Sequence, residues 1–158
     1  MIRGLGGDDV ILGLGGDDVL CGNGGDDTIS GGTGFDIILA GGGSDLLYAN
    51  SDNDRRDIAG AELHGGAGSD TLIGSNQNDL LRGGLGPDSL SGNAGDDLVR
   101  GGAGHDVVTG GGGSDDVRGG KGNDRVIATS GDLIRGGAGV DLCPRSHLAV
   151  SVGSCESS

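Results

Sequence analysis

A chain of 158 residues with 40 glycines, two aromatic residues (Phe35 and Tyr48) and no tryptophan lacks the bulky side chains of an ordinary globular core, which packs at ~0.74 density. Its formal charge of −14 argues against nucleic acid as a direct partner, and no apolar run approaches the ~18 residues of a membrane span. Glycine entropy and self-repulsion would by themselves leave such a chain disordered, so any order must come from its periodicity.

That periodicity starts with the first residues. Ile2 lies nine before Ile11, so the chain reads as starting inside a repeat, as a piece of a longer chain or from a misplaced start; the lack of a secretory signal therefore says little about export. Asp9, Asp18, Asp27, Asp36 and Asp45 follow at nine-residue intervals, each two positions before an aliphatic residue (Ile11, Leu20, Ile29, Ile38, Leu47). The phase breaks at 49–64, a polar stretch containing Asn-Ser-Asp-Asn-Asp-Arg-Arg-Asp. It resumes with Leu63, nine before Leu72, and runs through Asp70, Asp79, Asp88, Asp97, Asp106, Asp115 and Asp124. One residue is lost between Ala128 and Gly131, after which Asp132 and Asp141 return in phase with Ile134 and Cys143. The organisation is thus repeats over 1–48, an interruption at 49–64, repeats over 65–144, and a C-terminal capping strand and tail at 145–158. The interruption reads as a surface loop on one continuous roll or as a linker between two.

With the aspartate numbered six, a well-formed unit is Gly101-Gly102-Ala103-Gly104-His105-Asp106-Val107-Val108-Thr109. Glycine at positions one and four suits positive φ or close passage of a neighbouring strand. The three residues after the aspartate form a very short strand pointing its middle side chain inward. Two units make one flattened coil, and successive coils stack as parallel strands at ~4.8 Å. The expected fold is all-β, a right-handed parallel β-roll.

Of 22 aspartates, 14 form this ladder and four more (Asp8, Asp17, Asp26, Asp96) directly precede a ladder member, while only Glu62 and Glu156 are glutamate. The shorter carboxylate is being selected for geometry. Stacked carboxylates ~5 Å apart repel without a counterion. Calcium takes six to eight hard oxygens, which carboxylates and backbone carbonyls supply, whereas magnesium demands stricter octahedral geometry. Zinc would want clustered His or Cys, and His64, His105 and His147 are scattered. The alternative is a glycine-rich solenoid whose aspartates only hydrogen-bond their own turns.

The unit, Gly-Gly-x-Gly-x-Asp followed by an apolar residue two positions on, resembles the repeat-in-toxin (haemolysin-type) calcium-binding nonapeptide over roughly residues 2 to 144. The resemblance implies calcium between coils on each edge, held by aspartates eighteen apart: Asp9/Asp27, Asp18/Asp36, Asp27/Asp45, Asp70/Asp88, Asp79/Asp97, Asp88/Asp106, Asp97/Asp115, Asp106/Asp124, Asp115/Asp132 and Asp124/Asp141. Up to about ten ions would bring roughly +20 against −14, so binding and folding should be one event. Gln77, Ala40, Ala128 and Pro87 depart from the pattern, and Asp115/Asp132 is the weakest pair.

After Asp141 the glycines thin out and Leu148 to Val152 alternates like a final strand. Cys143 at an inward position and Cys155 twelve further on would clamp it as a disulfide, or both are reduced; Cys21, at an outward ninth position, is left over. The ending resembles those of secreted family members. Arg82, Arg100, Arg118 and Arg135 share position nine of alternate units. They read as compensation for nearby aspartates, or as a stripe for an anionic glycan or a neighbouring domain. No His-Glu-x-x-His or Gly-x-Ser-x-Gly motif is present. The expected function is a monomeric, non-catalytic, calcium-folded module of a secreted or surface protein, with the C-terminal module of a secreted hydrolase or polysaccharide-modifying enzyme as the alternative.

Overall fold

The computed structural model describes residues 1–49, 60–127, 129, 131–143 and 150–151. Among them are sixteen strands: β1 (Ile2–Arg3), β2 (Val10–Gly15), β3 (Val19–Gly24), β4 (Thr28–Thr33), β5 (Ile37–Gly42), β6 (Leu46–Tyr48), β7 (Glu62–Ala67), β8 (Thr71–Ile73), β9 (Leu80–Leu85), β10 (Ser89–Ala94), β11 (Leu98–Ala103), β12 (Val107–Gly112), β13 (Asp116–Lys121), β14 (Arg125–Ile127), β15 (Leu133–Ala138) and β16 (Val150–Ser151). Most are twice the expected length. The glycines at positions one to three of the next unit continue the ladder, as where Gly102 pairs with Gly120; without side chains there, backbones can approach at sheet distance.

The chain alternates between two parallel sheets. Odd-numbered strands and β16 build a nine-stranded sheet, and even-numbered strands from β2 to β14 a seven-stranded one. This is a β-solenoid of about seven coils. Each strand lies beside the strand two earlier, with Leu90 opposite Val108 and Leu81 opposite Val99. The aliphatic at position eight points into the space between the sheets. Leu20, Ile29, Ile38, Leu47, Leu63 and Leu72 are fully buried there, and the column continues to Ile134 as one cluster, with Cys143 packed against it. A core one side chain wide on each sheet explains why the chain can do without aromatics.

Both sheets run across the interruption. Ile38 pairs with Leu63 in one and Leu47 with Leu72 in the other. The interruption is narrower than 49–64: Ala49 and Ala61 are buried, and Glu62, Leu63 and His64 already belong to β7. Residues 50–59 lie outside the described residues. At the C-terminus, the expected last strand is represented by Val150–Ser151, parallel to β15. The Cys143–Cys155 pairing lies outside the described residues because Cys155 does; Cys21 is a free thiol. Among the described residues no helix is long and apolar enough to cross a membrane.

Glycine serves different needs at different positions. Position four takes positive φ, as at Gly122 (φ 121°), where a Cβ would also strike the Gly104 carbonyl one coil back. Position two takes positive φ as well, and there Leu14, Asn23 and Asn93 carry side chains at φ 76°, 83° and 77°. Position one needs glycine for space rather than for φ, which leads to the aspartates.

Candidate metal centre

The ladder aspartates fall into two rows because alternate units turn at opposite edges. In the first row, Asp9, Asp27, Asp45, Asp70, Asp88, Asp106, Asp124 and Asp141 precede the strands of the seven-stranded sheet or, for Asp141, the bridge at Leu142. The second row, Asp18, Asp36, Asp79, Asp97, Asp115 and Asp132, precedes strands of the nine-stranded sheet. Apart from the half-exposed Asp9 and Asp18, all fourteen are buried.

The two oxygens of each carboxylate have different surroundings. Oδ1 accepts a hydrogen bond from the backbone N–H of the ladder residue one coil earlier. Asp70 N–H donates to Asp88 (2.9 Å), Asp88 to Asp106 (3.0 Å), Asp106 to Asp124 (3.0 Å) and Asp97 to Asp115 (2.8 Å). The bond crosses coils, unlike the own-turn bonds of a metal-free solenoid. Oδ2 turns back towards position one of its own unit. A Cβ on Gly83 would meet both Asp88 Oδ2 and the Gly101 carbonyl, and one on Gly101 would meet Asp106 Oδ2 and the Gly119 carbonyl. Carboxylate and carbonyl oxygen thus line a small cradle that glycine leaves open. Oδ2 is buried without a hydrogen-bond partner in Asp9, Asp27, Asp45, Asp70, Asp88, Asp97, Asp106, Asp115, Asp124 and Asp141. Leaving a buried ionised oxygen unpaired costs several kcal/mol, and native proteins rarely do it repeatedly.

Burial pushes several of the carboxyls upward. Asp88 and Asp97 rise to about 7, the N–H bond opposing burial and the neighbouring carboxylates adding to it. Asp45, Asp70, Asp106, Asp115 and Asp124 are raised for the same leading reason, burial.

The donor set fits a hard cation. Among the described residues no three His, Cys, Asp or Glu side chains cluster as a metal site, so coordination would combine paired carboxylates with backbone carbonyls. Calcium tolerates that mixture; zinc does not.

The structure also places residues that the spacing had not singled out. Asp45 N–H donates to Asp70 Oδ1 at 2.9 Å, carrying the first row across the interruption. Ala61 holds a second-row position, its N–H donating to Asp79 Oδ1 at 2.7 Å, and has no carboxylate to offer. Its signal was Leu63, two residues later and in phase. Position five forms an outer ladder in which Asp8 accepts the Asp26 N–H (2.8 Å), Asp17 that of Phe35 (3.0 Å) and Asp96 that of Ser114 (2.8 Å). This accounts for the aspartates that precede ladder members.

A parallel solenoid whose coils are joined by buried, half-satisfied carboxylates is a β-roll with an acidic ladder along each edge. The model of the RTX calcium-binding nonapeptide repeat matches in four copies, over residues 1–29, 22–55, 62–90 and 91–126, and the chain belongs to that family. No curated protein matches it.

Proposed function

We propose that the chain is a non-catalytic module of a secreted or cell-surface protein that folds when the ladder aspartates bind several calcium ions, up to about ten. One observation carries this reading: the repeated partnerless Oδ2, set beside a backbone carbonyl at Asp9, Asp27, Asp70, Asp88, Asp97, Asp106 and Asp124. The residues that would hold the ions are drawn from the fourteen ladder aspartates, among which Asp79 and Asp132 already have Oδ2 engaged by their own turns. Bound calcium supplies positive charge between coils that would otherwise repel. Extracellular-grade sites have Kd of ~10⁻⁴–10⁻³ M, so the chain would stay loose in the cytosol and fold on export as a monomer. Attachment to an upstream secreted hydrolase or polysaccharide-modifying domain is the alternative setting for the same module. Equilibrium dialysis tests the reading: several calcium ions per chain should be retained in equimolar magnesium, and retention of none would refute it.

The arginine stripe supports a second, separate contact. His64, Arg82, Arg100, Arg118 and Arg135 are neighbours on the outer face of the nine-stranded sheet. Glu62 pairs with Arg82 (3.0 Å), and Asp116 with Arg118 (2.7 Å) and Arg135 (3.1 Å). These acids favour internal compensation over most of the stripe and hold Asp116 below the usual carboxylate range, chiefly through its bond with Arg118. An anionic glycan or neighbouring domain would therefore centre on Arg100, which forms no ion pair among the described residues, unlike Arg82, Arg118 and Arg135. Retention on an immobilised acidic polysaccharide should be lost in Arg100→Ala; equal retention would count against the contact.

A further inference from the structure

We infer that calcium loading is one-sided: the first row is a continuous file of sites from Asp9 to Asp141, while the second is interrupted and holds ions only where neighbouring aspartates remain open. This rests on the calcium reading above and goes beyond it, since repeat spacing alone treats the two edges alike.

Two independent sets of observations separate the edges. The first is hydrogen bonding. All eight first-row aspartates keep a partnerless buried Oδ2, and the N–H to Oδ1 bond links every successive pair, including Asp45 to Asp70. The single sequence departure at position one of that row is Ala40, and Asp45 beyond it still has an open Oδ2. In the second row, Ala61 removes a carboxylate outright. Asp79 is closed by its own turn: the Ser75 N–H donates to Oδ2 at 2.6 Å and the Ser75 hydroxyl reaches both oxygens at 3.1 and 3.2 Å. Asp132 is closed in the same way by the Thr129 N–H at 2.6 Å.

The second is strand length. Six-residue strands carry positions one to three of the following turn into the sheet, but inside the roll β6 and β8 stop after three residues, with Ala49 and Gly74 already outside the strand. Both lead into second-row turns: the one that precedes β7 and the one of Ser75 and Asp79. Both shortened strands inside the roll therefore lead to one edge, while β1, two residues long, precedes the first-row turn of Asp9 at the end of the roll. The first row passes from Asp45 to Asp70 without a break.

The chemistry follows from the donors. A carboxylate oxygen already accepting a short N–H bond from its own turn has a lone pair committed and is no longer an unsatisfied acceptor. Binding a cation there would compete with that bond. A first-row site faces no such competition, and each interior aspartate serves the sites on both sides.

Counting bound calcium by native mass spectrometry on the full chain and single variants tests this. Asp88→Ala should lose two ions relative to wild type, whereas Asp79→Ala and Asp132→Ala should lose none. If Asp88→Ala does not fold, Asp9→Ala, at the end of the row and expected to lose one ion, carries the same comparison. Calcium-loaded wild type in which Asp79→Ala or Asp132→Ala loses as many ions as Asp88→Ala would overturn the one-sidedness alone. A wild type that binds no calcium would overturn the calcium reading and this inference together.

Discussion

Stripping calcium at pH 7.5 is expected to abolish the β-structure of the whole roll in one transition, and restoring millimolar calcium to bring it back. The chain has little else to hold it. Its core is a single column of aliphatics between two sheets, and ordering 40 glycines carries a heavy entropic cost. Without a counterion the buried carboxyl groups of the file face one another across successive coils. Each site filled at 100-fold excess over its Kd adds about 2.7 kcal/mol to the folded state, and interior aspartates shared between two sites make the gain cooperative. Far-UV circular dichroism during calcium withdrawal and return is the check. Magnesium at the same concentration should restore little. A chelator-treated protein with undiminished β-signal and an unchanged melting temperature would refute the prediction.

Acid should partly replace calcium. In the folded roll Asp88 and Asp97 have pKa values of about 7, above the ordinary carboxylate value near 4 that holds in the unfolded chain. Between roughly pH 4 and 7 the folded state therefore binds more protons than the unfolded one. Stability of the metal-free roll must then rise as pH falls through 7 and be lost as pH rises again. Five further ladder aspartates are shifted in the same direction. In calcium-stripped buffer, β-signal should grow from pH 8 down to pH 5, while the calcium concentration needed to half-fill the folded roll at pH 5 should exceed that at pH 7.5, because protons and calcium compete for the same oxygens. A metal-free chain that loses β-structure on acidification to pH 5 would contradict the assigned burial of these carboxyls.

Much of this was legible in the sequence because the physics is periodic. An aspartate two residues before an aliphatic marks both the strand and the residue that enters the core, so Leu81, Leu90 and Val99 could be placed by counting. The same spacing gave the eighteen-residue partners. What it could not give was local. Counting treats all position-one and position-four glycines alike, but only coordinates separate Gly101, which makes room for Asp106, from Gly122, which supplies a positive φ. The seven extra residues of the interruption hid both the Asp45–Asp70 link and the identity of Ala61 as a ladder position. Ser75 and Thr129 look like ordinary turn residues in the sequence. Their capture of Asp79 and Asp132 depends on turn geometry that a repeat count averages away.

A crystal structure of the calcium-loaded chain, with an anomalous difference map, tests the central claim most directly. Anomalous peaks should run in a file along the first row, one between each pair of successive coils, within ~2.3–2.6 Å of oxygens that include the Oδ2 atoms of Asp88 and Asp106. A well-ordered roll whose Oδ2 atoms are instead hydrogen-bonded to water, with no anomalous density between the coils, would contradict it.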